Sequence, residues 1–295
     1  TTIMATTAPK YLCPAMNTEM YNNPITQRNL EGLRSLGYHI MDPAEGWLAC
    51  GITGVGRLPE PEAIVDWLEA KMCSTNELEG TTILVTAGGT QESIDPVRYI
   101  GNRSSGKMGY AIAEQAVRMG AKVILVSAPT SLPIPSGVDF ISVDSAVSMQ
   151  EAVEARYNDV NVVIMAAAVS DFRVLHKAEQ KIKKMESMTI ELVKNPDILQ
   201  GLGSKKSHQI LVGFAAETEH VIKYGQDKVA KKNLDMLVAN DVSKSNAGFN
   251  VDTNEGYFLY PDKEPKEMPN MKKSDLARHI LREVIDLVAN RADIN

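Results

Sequence analysis

The stretch ILVTAGGTQESIDPVRYIGNRSSGKMGY, residues 83–110, decides the fold of this chain. It opens with the β-branched apolar run at residues 83–85 and passes into the small residues AGGT, the pattern of a buried parallel strand that ends in a tight turn. Glycines at such a turn let backbone N–H groups approach a phosphate closely. We therefore predict an anion site at Gly88, Gly89 and Thr90, directly after this strand.

A second glycine-rich turn, GNRSSG at residues 101–106, leads into a predicted helix. The start of a helix offers N–H groups and a positive dipole end, so this segment is a second predicted phosphate site, formed by Ser104, Ser105, Gly106 and Lys107. The turn comes close to the phosphate loop of nucleoside triphosphatases, but Met108 replaces the hydroxyl residue that would hold Mg²⁺. A single glycine turn is often purely structural, whereas two turns within one strand-to-helix connection favour a nucleotide or phosphate site.

The composition excludes several classes of protein. With 295 residues, 44% of them hydrophobic, the chain can bury the core of one large domain or two modest ones. The net charge is −6 and the basic residues are dispersed, which argues against a nucleic-acid groove. The three cysteines lack C-x-x-C spacing, which argues against a zinc site or a disulfide framework. No apolar run approaches the roughly 20 residues that span a membrane and no signal peptide is visible, so we expect a cytoplasmic protein.

The first 73 residues predict part of an α/β unit, with strands at 11–13 and 38–41 and helices at 24–36 and 60–72. This is too little to close a sheet, and the chain begins with Thr1, so we expect a fragment. Two loops here could carry chemistry, at Asn17 and at Cys50. The simpler interpretations are a helix cap for Asn17 and a buried small hydrophobe for Cys50. The polar stretch STNELEGTT predicts a domain boundary that divides the chain into 1–75 and 76–295.

Strand and helix patterns alternate from Ile83 onward. Further strands are predicted at residues 122–126, 140–143, 162–166, 210–214 and 236–238. Such alternation predicts a Rossmann-like, doubly wound and mainly parallel sheet, with the site at the carboxyl ends of the strands. There is no G-x-G-x-x-G and no acid placed to hold a ribose, which argues against NAD.

The last part of the chain predicts packing elements. Asn240 and Asp241 are interpreted as a turn. Residues 243–273 predict a loop with one antiparallel edge strand at 256–260. A closing helix is expected to start from Ser274 as its N-cap.

Small residues follow the predicted strand at 162–166 until Asp171. They leave room for a flat ligand, and Asp171 could accept a hydrogen bond from an amino or hydroxyl group of that ligand. The charge run KIKK, which starts at Lys181, is explained equally well as a solvated face or as a phosphate contact in this acidic protein. Lys228 and Lys232 lie one helical turn apart, an arrangement that suits a triphosphate.

These motifs together resemble the bacterial bifunctional phosphopantothenoylcysteine decarboxylase/phosphopantothenate–cysteine ligase family of coenzyme A synthesis. In chain order they are VTAGGTQESIDPVRYIGNRSSGKMG, AAAVSDF, KIKK, KNPDIL, GFAAET and KKNLDMLVANDVS, with PAMN and LACG upstream. The resemblance covers the ligase part from about residue 81 onward and roughly the last third of the decarboxylase. It implies a Rossmann-like ligase domain preceded by the C-terminal part of a flavodoxin-like domain.

The resemblance implies a two-step ligation. CTP first joins the carboxylate of 4′-phosphopantothenate to CMP with loss of pyrophosphate, and the amine of cysteine then displaces CMP. Asn102 is expected to donate to the carbonyl oxygen of the acyl intermediate, and Lys181 to lie near the α-phosphate. Lys228 and Lys232 resemble a clamp on the triphosphate, with Mg²⁺ between its oxygens. The expected base and ribose contacts are Met165, Ala166, Ala167, Asp171, Pro196, Asp197, Ile198, Leu199 and Phe214.

For the decarboxylase, the resemblance implies that Asn17 binds the substrate carboxylate and that Cys50 protonates the enethiolate product. The family's FMN-binding glycine loop and active-site histidine would precede Thr1. FMN is therefore expected only with an intact decarboxylase domain, and weakly or not at all with this chain alone. After Cys50, Ile52 stands where the family's pattern has an aspartate.

Assembly and competing functions complete the expectations. The irregular segment at residues 171–188 is expected to cross to a second subunit, giving a homodimer through the ligase part and a larger homo-oligomer with an intact decarboxylase. A nucleotide sensor without turnover and an NAD-type oxidoreductase are the alternatives. A sensor would not need Asn102 and Lys181 together with a cation clamp, and an oxidoreductase would need the missing fingerprint. The sequence alone does not separate CTP from ATP.

Overall fold

The computed structural model describes residues 2–48, 51, 53–72, 75–184, 186–217, 219–241 and 253–292. The chain divides into two compact units, Thr1–Ser74 and Thr75–Asn295. Each unit is described by itself below.

The first unit combines short strands with helices. After a 3₁₀ turn at Thr2–Ala5, its elements are β1 (Tyr11–Leu12), α1 (Thr18–Asn22), α2 (Pro24–Ser35), β2 (His39–Ile40), β3 (Ala44–Trp47), β4 (Thr53–Arg57) and α3 (Pro61–Met72). β1 and β2 pair in parallel, whereas β3 and β4 form an antiparallel hairpin. The loop that the sequence predicts around Cys50, from residue 48 to residue 57, therefore contains a strand, β4, which pairs back onto β3.

The second unit is built on one large sheet. Its elements are β5 (Thr82–Ala87), β6 (Gln91–Ser93), β7 (Tyr99–Gly101), α4 (Lys107–Arg118), β8 (Lys122–Ser127), β9 (Val138–Ser142), α5 (Ala146–Glu154), a 3₁₀ turn (Tyr157–Asp159), β10 (Val162–Met165), β11 (Phe172–Val174), β12 (Leu192–Lys194), α6 (Ile198–Lys205), β13 (Ile210–Glu217), α7 (Val221–Lys231), β14 (Met236–Asp241), β15 (Thr253–Leu259), β16 (Lys266–Lys272) and α8 (Lys273–Ala292). In the described part of the chain, the large sheet has the order β16-β15-β14-β13-β10-β5-β8-β9. Within this sheet, the neighbouring strands β14, β13, β10, β5, β8 and β9 are parallel to one another. The mixed α/β fold with a mainly parallel sheet is the predicted one.

The central strand β5 serves two cores because its side chains alternate between the faces of the sheet. Ile83 and Val85 are buried in the core that contains α4 and α8, and Leu84 is buried in the core that contains α5 and α6. Burying one such side chain contributes about 1.5–3 kcal/mol. The apolar run that opens the deciding stretch therefore fixes β5 at the centre, and its carboxyl end faces the site.

Two glycines bring the start of α4 close to the end of β5. Gly106, the N-cap, has a left-handed φ of +75°, and a Cβ there would lie 2.6 Å from Thr130 Cγ2. A Cβ at Gly109 would lie 2.7 Å from the Cβ of Ala87. A side chain at either position would push α4 away from the sheet. The glycines therefore place Lys107, at the helix start, beside the strand end.

The region after β14 differs from the prediction in three respects. α8 begins at Lys273, so Ser274 is its second residue and not its N-cap. Asn240 lies within β14 and not in a turn, since the strand continues to pair with β15 at Gly256. The loop expected after residue 260 contains a further strand, β16, which is the actual edge of the sheet. The alternation of β16 is obscured by charged residues and by Pro269, both of which edge strands tolerate.

Candidate functional site

The carboxyl ends of β10, β13 and β14 open into a cavity of about 360 Å³, here called the inner cavity. The loop before α4 forms one side of it, through Asn102, Ser104, Ser105, Gly106, Lys107 and Met108. The opposite parts of its lining are Ala166, Ala167, Ala168, Val169, Asp171, Phe214, Ala215, Ala216, Lys228, Asn240, Asn254 and Lys273. Its ionisable lining residues are three lysines and one aspartate, so the cavity favours an anionic ligand.

A smaller side cavity of about 290 Å³ adjoins the inner cavity. The two share Ala167, Val169, Asp171 and Phe214, so they are adjacent along these residues and are together called the cleft. The rest of the side cavity is lined by Met165, Ser170, Lys194, Asn195, Pro196, Asp197, Ile198, Leu199 and Lys232. Apart from Lys181, every residue expected from the sequence to contact the nucleotide lines one of these two cavities.

Lys228 and Lys232 border different parts of this cleft. Lys228 lines the inner cavity, whereas Lys232 lines the side cavity. The Lys232 ammonium is 2.9 Å from Asp197 Oδ2. Burial alone would raise the pKa of Asp197, but hydrogen bonds from Lys232 and from the Gln200 N–H hold that pKa below its ordinary value. If both lysines bind one triphosphate as expected, Lys232 therefore does so from a position in which it is ion-paired with Asp197.

The first glycine turn joins two strand ends. Gly88 accepts from the Ala168 N–H at 2.8 Å, and Thr90 donates its N–H to the Ala168 carbonyl at 3.2 Å. The Thr90 hydroxyl oxygen also accepts from the Ser170 N–H at 2.9 Å. Thr90 is fully buried, and its N–H serves the fold. Phosphate binding at this turn stays a prediction, and these hydrogen bonds leave Thr90 little part in it.

Asn102 lies where the inner cavity meets a third, more open cavity of about 730 Å³, here called the outer cavity. The outer cavity is lined by Gly89, Thr90, Gln91, Tyr99, Gly101, Asn102, Arg103, Ser104, Ser105, Lys107, Pro129, Thr130, Ser131 and Leu132. Asn102 Nδ2 donates to the Val169 carbonyl at 3.1 Å, which orients its amide. Ser104, Ser105 and Lys107 also line both cavities. The predicted phosphate loop thus faces two compartments at once.

Lys181 lies apart from the cleft. It belongs to the strap, defined here as the connection between β11 and β12 at residues 175–191, and its side chain is exposed. Lys181 does not occur among the described residues that line the three cavities. Lys183 and Lys184 are exposed as well. The structure therefore does not bring Lys181 together with Asn102.

A buried carboxylate ties the strap to the loop between β6 and β7. Asp95 Oδ2 accepts from the Ile182 N–H at 3.1 Å, and Arg98 Nη2 donates to the Ile182 carbonyl at 2.8 Å. Asp95 also accepts from the Arg98 guanidinium at 2.6 Å and from the Val97 N–H at 2.8 Å. The hydrogen bond from Arg98 holds the pKa of Asp95 well below its ordinary value. The residue next to Lys181 is therefore fixed even though Lys181 itself is exposed.

The two candidates for decarboxylase chemistry belong to the first unit. Asn17 is the N-cap of α1, and its side-chain oxygen accepts from the Glu19 N–H at 2.8 Å. This confirms the simpler interpretation and leaves a functional role for Asn17 as a prediction. Cys50 lies outside the described residues.

Three polar residues of the inner cavity escaped sequence analysis. Asn240 was interpreted as a turn residue, and Asn254 and Lys273 were placed in a loop. They reach the cavity because β15 and β16 extend the sheet and α8 starts at its carboxyl edge. Prediction of the strand β16 would have drawn attention to this part of the chain. A lysine directly after the carboxyl end of a sheet strand is a candidate for the edge where the site lies.

The described residues contain no group of three or more His, Cys, Asp or Glu side chains able to hold a metal ion. Every helix in the described ranges is too short or too polar to cross a bilayer.

The fold and the cleft define a Rossmann-like α/β protein with a site for an anionic small molecule. Residues 78–288 match the family described as the DNA/pantothenate metabolism flavoprotein C-terminal domain, and residues 1–73 match the family described as Flavoprotein. The chain is 48% identical to the coenzyme A biosynthesis bifunctional protein CoaBC of Bacillus subtilis (strain 168), over 97% of this chain and 72% of that protein. The identity is 45% to CoaBC of Escherichia coli (strain K12), over 97% of this chain and 71% of that protein. This chain belongs to the CoaBC family of bifunctional coenzyme A biosynthesis enzymes.

Solved structures agree with this assignment. A crystal structure of the C-terminal domain of CoaBC superposes with a TM-score of 0.64 at 44% identity, covering 73% of this chain and all of that one. A Cab2 mutant in complex with phosphopantothenate-cysteine superposes with a TM-score of 0.58, covering 80% of this chain and 96% of that one. At 18% identity the second likeness concerns the fold alone. The family predicted from the motifs is confirmed.

Proposed function

We propose that the second unit ligates 4′-phosphopantothenate to cysteine, with CTP as the activating nucleotide. The observation that carries this proposal is the position of Asn102, whose side chain borders both the inner and the outer cavity. A nucleotide in the inner cavity and an acyl chain in the outer cavity would meet beside its amide. Two reactants held in contact in this way react as if at very high concentration.

The ligation needs an activated carboxylate because a free carboxylate is a poor acyl donor. In the first step a carboxylate oxygen attacks the α-phosphorus of CTP, and the bond to the bridging oxygen of pyrophosphate breaks. In the second step the amine of cysteine attacks the acyl carbon, CMP leaves with the bonding electrons, and the amine loses a proton. The product is 4′-phosphopantothenoylcysteine.

Asn102 is suited to the second step. A primary amide carries two N–H donors, and one of them is directed at the Val169 carbonyl. The other can donate to the carbonyl oxygen of the acyl intermediate as negative charge develops there. A donor of this kind is worth about 3–4 kcal/mol when it is fixed in advance.

The side cavity suits the base of the nucleotide. Met165 and Phe214 give it apolar walls, and the start of α6 supplies backbone groups at residues 196–199. The resemblance to the ligases favours cytosine over adenine. Since Ala167, Val169, Asp171 and Phe214 are common to both cavities, a ribose there would connect the base with phosphates in the inner cavity.

Mg²⁺ fits this arrangement. Asp171 is a carboxylate that lines both the inner and the side cavity, and Mg²⁺ is commonly held by one or two carboxylates together with substrate phosphates. When bound, the ion would neutralise charge on the phosphate oxygens. Lys228 and Lys107 would contact the same phosphates from the protein side.

The proposal includes a homodimer of the ligase part. A set of apolar side chains on β7, the preceding loop, the β11–β12 pair and the first residue of the strap is exposed, namely Val97, Tyr99, Phe172, Leu175 and Leu192. An exposed apolar set beside an irregular strap suits contact with a second copy of the chain. Light scattering of Phe172→Ser should give a smaller mass than wild type at micromolar concentration. A wild-type chain that is monomeric and fully active would overturn the dimer.

For the first unit we propose the decarboxylase roles, with Asn17 on the substrate carboxylate and Cys50 as proton donor. Because the Asn17 oxygen caps α1, its Nδ2 group is the part able to donate to a carboxylate. FMN, when bound to an intact domain, would supply the redox chemistry of that reaction.

A pyrophosphate-release assay tests the ligase. With 4′-phosphopantothenate and CTP but no cysteine, pyrophosphate should appear in a burst near one equivalent per site, and adding cysteine should make release continuous. ATP should replace CTP poorly. Absence of pyrophosphate with CTP under both conditions would overturn the proposal, and equal rates with ATP would overturn the choice of nucleotide.

A further inference from the structure

The start of α8 lies at the same edge of the sheet as the start of α4. β15 is antiparallel to β14 and β16 is antiparallel to β15, so β16 runs in the direction of the parallel strands. Its last residue is followed at once by Lys273, the first residue of α8. α4 and α8 share one core, and the first residue of each lines the inner cavity.

Lys273 differs sharply from its neighbour Lys272. Lys273 is only 8% exposed and lies in the wall of the inner cavity, whereas Lys272 is exposed to solvent. An ammonium in the wall of a cavity attracts an anion inside that cavity, and more strongly so where little water separates the two. Lys273 therefore adds positive charge to the inner cavity, whereas Lys272 does not.

Two amides line the same cavity as Lys273. Asn254 is 3% exposed, and its Nδ2 lies 3.3 Å from Asn240 Oδ1. The same Nδ2 lies 4.0 Å from the Sδ of Met108, which belongs to the first turn of α4. Lys273, Asn240 and Asn254 line the inner cavity but neither the side nor the outer cavity.

Because Lys273, Asn240 and Asn254 line only the inner cavity, they lie near only one part of the bound nucleotide. In the proposed function, on which this inference rests, the base occupies the side cavity and the α-phosphate must reach Asn102 at the junction with the outer cavity. The end of the inner cavity that touches neither compartment is left for the terminal phosphates. We infer that Lys273 binds the β- and γ-phosphates of the nucleotide and holds the departing pyrophosphate.

Calorimetric titration with CTP and with CMP tests this role. Lys273→Met removes the charge and keeps the length of the side chain, and Lys272→Met is the matched control. Lys273→Met should weaken CTP binding about 10- to 100-fold, the effect of one charged hydrogen bond, and change CMP binding less than about 2-fold. Lys272→Met should change neither. A merely structural lysine would move CTP and CMP together.

A second variant covers the case in which Lys273→Met does not fold, which circular dichroism would reveal. Asn254→Asp changes one atom and places a carboxylate in the wall of the inner cavity that contains Lys273, so it should weaken CTP binding at least about 10-fold and spare CMP. Unchanged CTP affinity in the folded variants, or equal losses for CTP and CMP, would overturn the inference alone. A wild-type chain with no affinity for CTP would overturn the proposed function itself.

Discussion

The loop before α4 and the strap carry equally dense sequence motifs but are built differently. Asn102, in the loop, lies between two cavities and is oriented by a hydrogen bond to Val169. Lys181, in the strap, is exposed, and the order around it comes from the tether of Ile182 to Asp95. A motif can therefore point to a residue without telling whether the folded chain places that residue in a cavity in advance. The following predictions test that difference.

The largest effect is expected at the residue that is already in place. Asn102→Asp puts a negative charge where negative charge develops, and losing a preorganised donor costs about 10²- to 10³-fold in rate. The block should fall on the attack by cysteine. Pyrophosphate should still appear in a burst near one equivalent per site, whereas quenched-flow analysis should find no ligated product. Loss of the burst would show that Asn102 acts in the first step.

A smaller loss is expected at the residue that lies outside the cavities of its own chain. Lys181→Gln removes one charge-assisted contact, worth roughly 3 kcal/mol or about 100-fold in rate, from cytidylyl transfer. Pyrophosphate release should fall with it. A normal burst in Lys181→Gln, combined with none in Asn102→Asp, would mean that the two roles are reversed.

The tether should matter less than the residue it positions. Asp95→Asn replaces one acceptor oxygen by a donor that faces Arg98 and the Ile182 N–H, and we expect about 10-fold slower cytidylyl transfer. Because the folded-state pKa of Asp95 is lowered, the stability it contributes is present above the ordinary carboxyl pKa near 4 and is lost as the pH falls below it.

A double-mutant cycle separates positioning from a general loss of structure. In the background of Lys181→Gln, Asp95→Asn should have little further effect on cytidylyl transfer, since the positioned group is gone. Attack by cysteine on the preformed intermediate should be unchanged by Asp95→Asn. Fully additive effects would make the tether irrelevant to Lys181.

The smallest effect is expected two residues from Lys181. Lys183 is also exposed and also belongs to the KIKK run, and Lys183→Gln should change the rate of pyrophosphate release less than about 2-fold. Steady-state rates with CTP suffice for this comparison. A loss as large as that of Lys181→Gln would show that the run binds phosphate as a diffuse cationic patch.

The sequence predicted the parallel part of the sheet well because buried parallel strands such as β5 and β10 are short apolar runs that end in small residues. The cleft was predicted for the same reason, since parallel strands end at one edge. The prediction failed where tertiary pairing overrides local pattern. β16, with Pro269 in it, is a strand only because β15 offers it a partner, and Lys273 was missed with it.

What the motifs could not reveal is how the polar groups divide between fold and function. Thr90 belongs to a glycine-rich turn of the kind that binds anions, yet its N–H and hydroxyl oxygen hold the ends of β5 and β10 together. Lys232 lies one helical turn from Lys228, yet it is ion-paired with Asp197. These hydrogen bonds and this ion pair depend on residues far away in the chain, which a local motif does not include.

The strand order has a consequence for synthesis on the ribosome. β5 is made first among the large-sheet strands, but β8, β10, β13 and finally β16 are added to its two sides, and the last wall of the inner cavity arrives with Lys273. Because these contacts join segments far apart in the chain, they form late and slowly. A nascent chain therefore emerges from the exit tunnel without a complete inner cavity, and binding of the proposed nucleotide during translation would report that α8 has docked.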